Sequence, residues 1–502
     1  MDRREFGKLF IGAATFAGLP HLAHAAPRIG AQEKFHSALA EKPWLLGYLG
    51  TREPLLQSEL KIEHGKVPSG FSGRLFRNGP ARHEIGQDRF SHWFDAPGMI
   101  QRFTISGDRI SHLGRLTDTS RNHVETDKNR IAYHGFGTSG SELSSGGSAD
   151  GQNPANISLL NHAGELLALW EGGSPHIIDP ETLSSSGIKK WTSDTAGLPF
   201  GAHPRRDSDG SVWNIGYSAN PAAILIYHLS ATGELLQTHL LPQMHTPMLH
   251  DFLITDSKLI LVMPPFRASK SSDGAFLDQF EWNAQQSTQI LVIDKSDLTH
   301  FVELETEAFW VFHFGNAYDI SSSEIGFDFA LHSDPGFMTK DAYQVMDGSW
   351  NGGAQTTMHY AQARLDLSKR TVHIERNNDH GQVEFVQIDP REQLSRHSQT
   401  LMLTHSGGKS QLGWNTLTLL DRNSGNANSF TVSDTELIEE HLIVPKPDSN
   451  SGFWIIGTSL DWQRRRTSLS IYDGQALEDG PVVKAVMEYP IPFGLHGLFL
   501  PL

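Results

Sequence analysis

Asp209-Gly210-Ser211-Val212-Trp213-Asn214-Ile215-Gly216-Tyr217 and, a little further on, Ala223-Ile224-Leu225-Ile226-Tyr227-His228-Leu229 decide the fold class. Both runs are rich in β-branched and aromatic residues and too short for a stable helix. Asp209-Gly210 precedes the first run and Thr232-Gly233 follows the second, and both dipeptides favour turns. The same signature recurs along the chain. It is found at Leu159-Leu160, at Glu165–Glu171 after Ala163-Gly164, and at Lys258–Met263, Gln289–Ile293, Val372–Arg376, Trp414–Leu420 and Phe453–Thr458. Many short strands separated by turns specify an all-β sandwich, barrel or propeller. Over roughly 460 residues a propeller fits best, with seven blades of about 66 residues each, several of them carrying long loops. No internal sequence repeat stands out. Helical patterns are few, at Gln32–Leu39 and Lys340–Met346. Residues 135–153 and 269–273 read as polar loops.

Composition narrows the chemistry. The chain has 502 residues and no cysteine. That excludes disulfides, thiolate-held zinc, Fe–S clusters and thiol nucleophiles, so any metal must take His, carboxylate or carbonyl ligands. The net charge is −16, and Arg464-Arg465-Arg466 is only a short basic run. Nucleic acid is therefore not expected as a partner.

Residues 1–25 read as an export signal. Arg3-Arg4-Glu5-Phe6-Gly7-Lys8 carries twin arginines, an apolar core runs from Leu9 to Leu19, and Ala23-His24-Ala25 precedes a cleavage point before Ala26. The arginines, Phe6 and Lys8 occur in the order of a twin-arginine signal, which predicts engagement of that export machinery and a periplasmic destination. Residues 26–43 are expected to be a linker and 44–502 a single domain. No later run is long and apolar enough to be expected to span a membrane.

Four histidines share a context. They are His203 in Phe200-Gly201-Ala202-His203-Pro204, His250 in Met248-Leu249-His250-Asp251-Phe252, His313 in Phe312-His313-Phe314-Gly315-Asn316, and His496 in Gly494-Leu495-His496-Gly497-Leu498. Each lies where a strand end would meet a turn. Imidazole suits Fe, Zn, Cu and Ni. Four such ligands would leave two octahedral positions for O2 and substrate, and carboxylates behind the rings would fix tautomer and charge. Spacing does not single these four out of 26 histidines, and His245 with His250 is an equally good local pair.

The surrounding motifs do. Gly73-Arg74-Leu75-Phe76-Arg77-Asn78-Gly79-Pro80 and His92-Trp93-Phe94-Asp95-Ala96-Pro97-Gly98-Met99 come first. Asn156, Leu167–Gly173, the four histidine contexts and Leu477-Glu478-Asp479-Gly480-Pro481-Val482 follow in order. From about residue 44 onward the chain resembles the carotenoid cleavage oxygenases. The resemblance implies a seven-bladed β-propeller with a dome of loops and short helices over an axial metal site. It implies one Fe(II) held by His203, His250, His313 and His496. By position, Glu171, Glu384 and Glu440 match the three supporting carboxylates, paired with His250, His313 and His496 respectively, leaving His203 without one. The chain departs from the family pattern at Val386 and His441, where proline is usual, and at Ser449-Asn450-Ser451-Gly452, where an acidic stretch is usual.

The implied reaction is O2-dependent cleavage of a conjugated C=C bond into two carbonyl products. A carotenoid or apocarotenoid is the expected substrate, and a stilbene is the alternative, for which Lys128 is the candidate phenol contact. Redox-neutral isomerohydrolysis of retinyl esters is less expected. A non-catalytic binding propeller is also considered, although such a scaffold has no need of four ligand histidines. Phe94, Phe252, Phe314 and Phe493 adjoin the motifs and are the candidate tunnel residues. Phe337, Met338, Tyr343, Val345 and Met346 are the candidates for an apolar patch making peripheral membrane contact.

Overall fold

The computed structural model describes residues 30–141, 149–219, 222–243, 246–269, 274–352, 356–407 and 411–502. The export signal and His245 lie outside them, as do 142–148 and 270–273 of the two polar loops.

Seven antiparallel sheets form the blades of a β-propeller. Taken in order round the ring, their axial strands are His496–Pro501, Ser158–His162, Arg205–Arg206, Leu253–Ile254, Trp310–Ser321, Val383–Gln387 and Glu436–Ile438. These open blades one to seven.

Period-two alternation builds the core. In the strand Lys258–Met263, Leu259, Leu261 and Met263 enter the apolar layer against blade three, while Ile260 and Val262 enter the layer against blade five. Both faces of a central strand are therefore buried, so it reads as a continuous apolar run. The edge strands differ. Thr371–Asn377 and Ala427–Thr431 are largely exposed or half-buried.

Two seams close the ring. The C-terminal strand His496–Pro501 pairs with Gly73–Pro80 in blade one, with His496 opposite Asn78. At the other end, Lys61–Gly65 pairs with Pro481–Val486 in blade seven. Each chain end thus completes a blade begun by the other, which leaves no open sheet between first and last.

The dome covers one end of the axis. It includes the helices Ala31–Glu41 and Ser120–Lys128, and a π-helical turn Phe337–Asp341 leading into the helix Ala342–Asp347. The expected linker is thus folded from Gly30 on. Phe35 is fully buried under the Arg89 guanidinium, and Lys42 donates to the carbonyls of Gly348 and Trp350. The helical pattern at Gln32–Leu39 forms as the helix Ala31–Glu41, whose single large buried residue docks on the dome, so the segment is part of the domain and not a linker. A second correction concerns the proposed membrane patch. Met338, Val345 and Met346 are buried, and Phe337 and Tyr343 are half-buried against the apolar layers, so these residues pack inward. Among the described residues no helix is long and apolar enough to cross a membrane.

Candidate metal centre

Each blade supplies one residue to the axis. Blade two gives Glu171, blade three His203, blade four His250, blade five His313, blade six Glu384, blade seven Glu440 and blade one His496. The four ring nitrogens nearest the axis lie within 4.8 Å of one another. Nε2 of His203 and His250 are 3.0 Å apart, those of His250 and His313 3.3 Å, and those of His313 and His496 3.1 Å. Lone pairs converging at such distances repel unless a cation lies among them.

Behind the rings are the carboxylates. His250 Nδ1 meets Glu171 Oε1, His313 Nδ1 donates to Glu384 Oε2 at 2.5 Å, and His496 Nδ1 donates to Glu440 Oε1 at 3.0 Å. No carboxylate meets His203 among the described residues. A proton held on Nδ1 leaves Nε2 bare and aimed at the axis, the tautomer a metal requires. The donor set fits a divalent first-row metal: four imidazoles for affinity, three carboxylates for charge.

Local backbone irregularity aims these groups. His313 lies in a strand whose register shifts between Val311 and Phe314 and again between Phe314 and Ala317. Such bulges re-aim side chains. As a result Phe312 and Phe314, which would share a face in a regular strand, enter different apolar layers. Register also shifts after Glu384, and Phe385 sits at φ 53°, a strained conformation for a bulky residue. There the Phe385 amide donates to Glu384 Oε2 at 2.7 Å, and the Phe385 ring stacks on His313.

Each carboxylate has a further partner that sequence reading did not find. Tyr217 donates its hydroxyl to Glu171 Oε2 at 3.0 Å. His332 Nε2 donates to Glu384 Oε1 at 2.6 Å, and its Nδ1 is buried without a partner. Gln387 Nε2 donates to Glu440 Oε1 at 3.0 Å, and the Gly497 amide donates to Oε2 at 2.8 Å. Buried Arg77 lies between Glu439 and Glu440, 3.6 Å from each. Arg77 stood in a quoted motif. Tyr217 and His332 had no local signal, because their partners are distant in sequence.

Electrostatics follows the geometry. Burial, then repulsion from the other three histidines, holds His203 well below the ordinary imidazole pKa. Burial also lowers His496 despite Glu440. For His313 burial opposes charging, but Glu384 outweighs it and raises the pKa. Burial would raise Glu384, yet His313 and His332 together lower it. Glu440 is likewise lowered, with His496 and Arg77 overcoming its burial. Glu384 and Glu440 are thus kept as anions.

On the dome side the centre opens into an aromatic cavity of about 1490 Å³, its mouth included. Phe94 and Phe493 line it, with Trp93, Phe136, Phe312 and Phe337. His92 and Asn156, both from the quoted motifs, fix Phe94. His92 Nδ1 accepts from the Phe94 amide at 3.1 Å, and Asn156 donates to the Phe94 carbonyl at 2.8 Å. Phe252 and Phe314 are placed elsewhere. Phe252 is fully buried in the layer between blades three and four. Phe314 packs on Phe327 and Phe329 and borders the hollow on the opposite side of the histidines. Sequence adjacency to a ligand did not carry either ring to the dome side. Lys128 is exposed at the end of its helix and does not line the cavity.

The departures from the family pattern are accommodated. His441 is buried, donates from Nδ1 to the Glu439 carbonyl at 2.7 Å, and packs on Gly457, where any Cβ would clash with its ring. Its burial pushes the pKa down to about 4. At the Ser449–Gly452 turn, Ser449 Oγ accepts from the Gly452 amide at 2.7 Å.

The opposite hollow, about 880 Å³ with its opening, is bordered by His203, Arg205, Asp251, Asn316, Gln387 and Gln393, and by exposed Pro390. Arg205 and Asp251 are ion-paired there.

Comparison with known proteins agrees with this architecture. The family model described as retinal pigment epithelial membrane protein matches residues 50–501. An isoeugenol monooxygenase of Pseudomonas nitroreducens is 24% identical over 487 residues, covering 91% of this chain and 98% of its own. The apocarotenoid-15,15'-oxygenase of Synechocystis is 24% identical over 481 residues, covering 90% and 95%. The crystal structure of the cobalt-substituted Synechocystis apocarotenoid oxygenase superposes with a TM-score of 0.81 at 22% identity, over 92% of this chain and 99% of that one.

Proposed function

We propose a function from one premise: the chain belongs to the retinal pigment epithelial membrane protein family, the carotenoid cleavage oxygenases. It is an oxygenase that uses O2 to cleave a conjugated C=C bond of an apocarotenoid into two carbonyl products. The observation that carries this reading is the convergence of four bare imidazole nitrogens at the base of an aromatic cavity.

His203, His250, His313 and His496 would hold one Fe(II). When bound, the iron supplies the activation of O2. The chain's own residues do the rest. Glu171, Glu384 and Glu440 hold the protons of three rings away from the axis, so that the ligating nitrogens stay free. Phe94, Phe312, Phe385 and Phe493 present flat apolar surfaces that orient a planar polyene across the axis and exclude water. Among the described residues no lysine or arginine lines the cavity, which suits a neutral, lipophilic substrate.

Similarity to an isoeugenol monooxygenase supports a second reading, in which the substrate is a compact phenylpropenoid or stilbene. One experiment tests both. Iron-loaded protein is incubated with an apocarotenal and with a hydroxystilbene, and the aldehydes are identified by mass spectrometry. Aldehydes from the apocarotenal support the first reading, and aldehydes from the stilbene alone support the second. No aldehyde from either, with iron bound, would sink both.

The twin-arginine pattern of residues 1–25 supports export of the folded protein to the periplasm. Replacing Arg3 and Arg4 by Lys should retain the protein in the cytoplasmic fraction. Unchanged periplasmic recovery would refute this.

A further inference from the structure

A strap of chain crosses the polar hollow on the far side of the histidines. It runs from Asp389 to Ser395, between the strands Val383–Gln387 and Gln399–Thr404 of blade six, and Pro390, Gln393 and Leu394 border the hollow. Side chains tie it to three other blades. Gln393 Nε2 donates to the Arg206 carbonyl of blade three at 2.9 Å. The Asn316 amide of blade five accepts from the Leu394 N–H at 3.0 Å and donates to the Ser395 carbonyl at 2.7 Å. Arg391 donates to the carbonyls of Ser449 and Gly452 at 2.6 and 3.0 Å, in the blade-seven turn where the chain departs from the family pattern.

The strap is a cover and not a rigid floor. Leu394 is buried in the layer between blades three and four at φ 64°, a strained conformation for a bulky residue. Such strain persists only while the surrounding contacts hold it. Those contacts lie near the surface, with Pro390 and Arg391 exposed and Gln393 half-buried. A segment held by hydrogen bonds that water can replace opens locally long before the blades unfold.

We propose that the polar hollow is the port through which a hydrated divalent metal ion reaches the four histidines, with the strap as its door, an inference that rests on the ligand assignment above. An aqueous metal ion carries its charge in a shell of firmly held water. Polar groups can share or replace that water, whereas aromatic rings leave the ion unsolvated. The hollow offers Asn316, Gln387 and Gln393 along the way, and the Asp251 and Glu440 carboxylates draw a cation inward. It leads to His203, His313 and His496. His203 borders this hollow and not the aromatic cavity, so that ligand is reached from the polar side.

The test is metal exchange in the full-length protein, with Co(II) as the probe and its visible absorption as the signal. Uptake is followed on adding Co(II) to metal-free protein, and release on adding excess EDTA to the loaded protein. A port is crossed in both directions over one barrier, so opening it changes both rates by the same factor and leaves the affinity alone. Gln393→Ala, which cuts the tie to blade three, should speed uptake and release together by about 10-fold. Arg391→Ala, which cuts the tie to the blade-seven turn, should do the same and serves if Gln393→Ala does not fold. Phe94→Ala widens the aromatic cavity instead and should exchange metal at the wild-type rate. The proposal is overturned if the strap variants keep the wild-type rates, if release alone quickens and the affinity falls with it, or if Phe94→Ala speeds exchange as much as they do. A wild type that takes up no metal would reject the ligand assignment and the port with it. A wild type that binds Co(II) beside strap variants with unaltered rates would reject the port alone.

Discussion

The two hollows that meet at the four histidines differ in nearly every respect. The one under the dome is walled by aromatic rings, and its hydrogen-bonding groups are few and mostly committed. The one on the opposite side is bordered by an ion pair, amides and an exposed proline. The same rings form the floor of one and the ceiling of the other, since His313, His496, Phe385 and Glu440 border both. The difference shows where the fold spends its precision. The dome side needs shape and dryness to orient a flexible apolar molecule. The far side presents an ion pair and amides, groups that water can satisfy. His203, the ring without a carboxylate, borders the polar hollow and not the aromatic one.

The severest break of this contrast is removal of a shared ring. His313→Ala should abolish metal retention, measured as iron per chain after gel filtration, and activity with it. Full iron occupancy in that variant would refute the ligand assignment. Next come the carboxylates. Glu384→Gln should weaken metal binding or activity about 10- to 100-fold. Glu171→Gln should lie lower in that range, because Glu384 anchors two histidines and Glu171 one. Competition with a chelator ranks the two, and equal losses would show that His332 adds nothing.

Two phenylalanines then separate lining from packing. Phe94→Ala should raise KM about 10-fold with little change in thermal stability. Phe252→Ala should leave KM unchanged and cost about 3–5 kcal/mol of stability. Denaturant titration beside steady-state kinetics decides it, and an unchanged KM in Phe94→Ala would remove that ring from the substrate path. A smaller effect is expected at His332. His332→Leu should lower metal affinity about 3- to 10-fold, and His332→Gln should recover most of it by restoring a donor to Glu384. The visible spectrum of the cobalt-substituted protein should shift and return in parallel. Smallest of all, Gln393→Ala at the rim of the polar hollow should alter KM and kcat by less than about twofold, as for a surface substitution.

Much of this contrast was legible in the sequence. Strand runs such as Lys258–Met263 were visible because both faces of a propeller strand are buried, which leaves a continuous apolar signature. The histidines and their carboxylates were found through ordered motifs, and the pairing Glu171–His250, Glu384–His313, Glu440–His496 is the one the structure shows. The helix before residue 44 is legible as the pattern at Gln32–Leu39, but its docking on the dome through Phe35 is not, because one large buried residue gives almost no periodic signal.

The sequence by itself determined the class of fold, the imidazole character of the site and the absence of any thiol chemistry. These depend on residue identity and local order. Only the tertiary structure decided which phenylalanines face the cavity, because bulges at His313 and Glu384 reset the alternation that a regular strand would impose. It alone brought Tyr217, His332 and Arg77 to the carboxylates. Such contacts join residues from different blades across the axis, and no local pattern records a distance that exists only once the ring has closed.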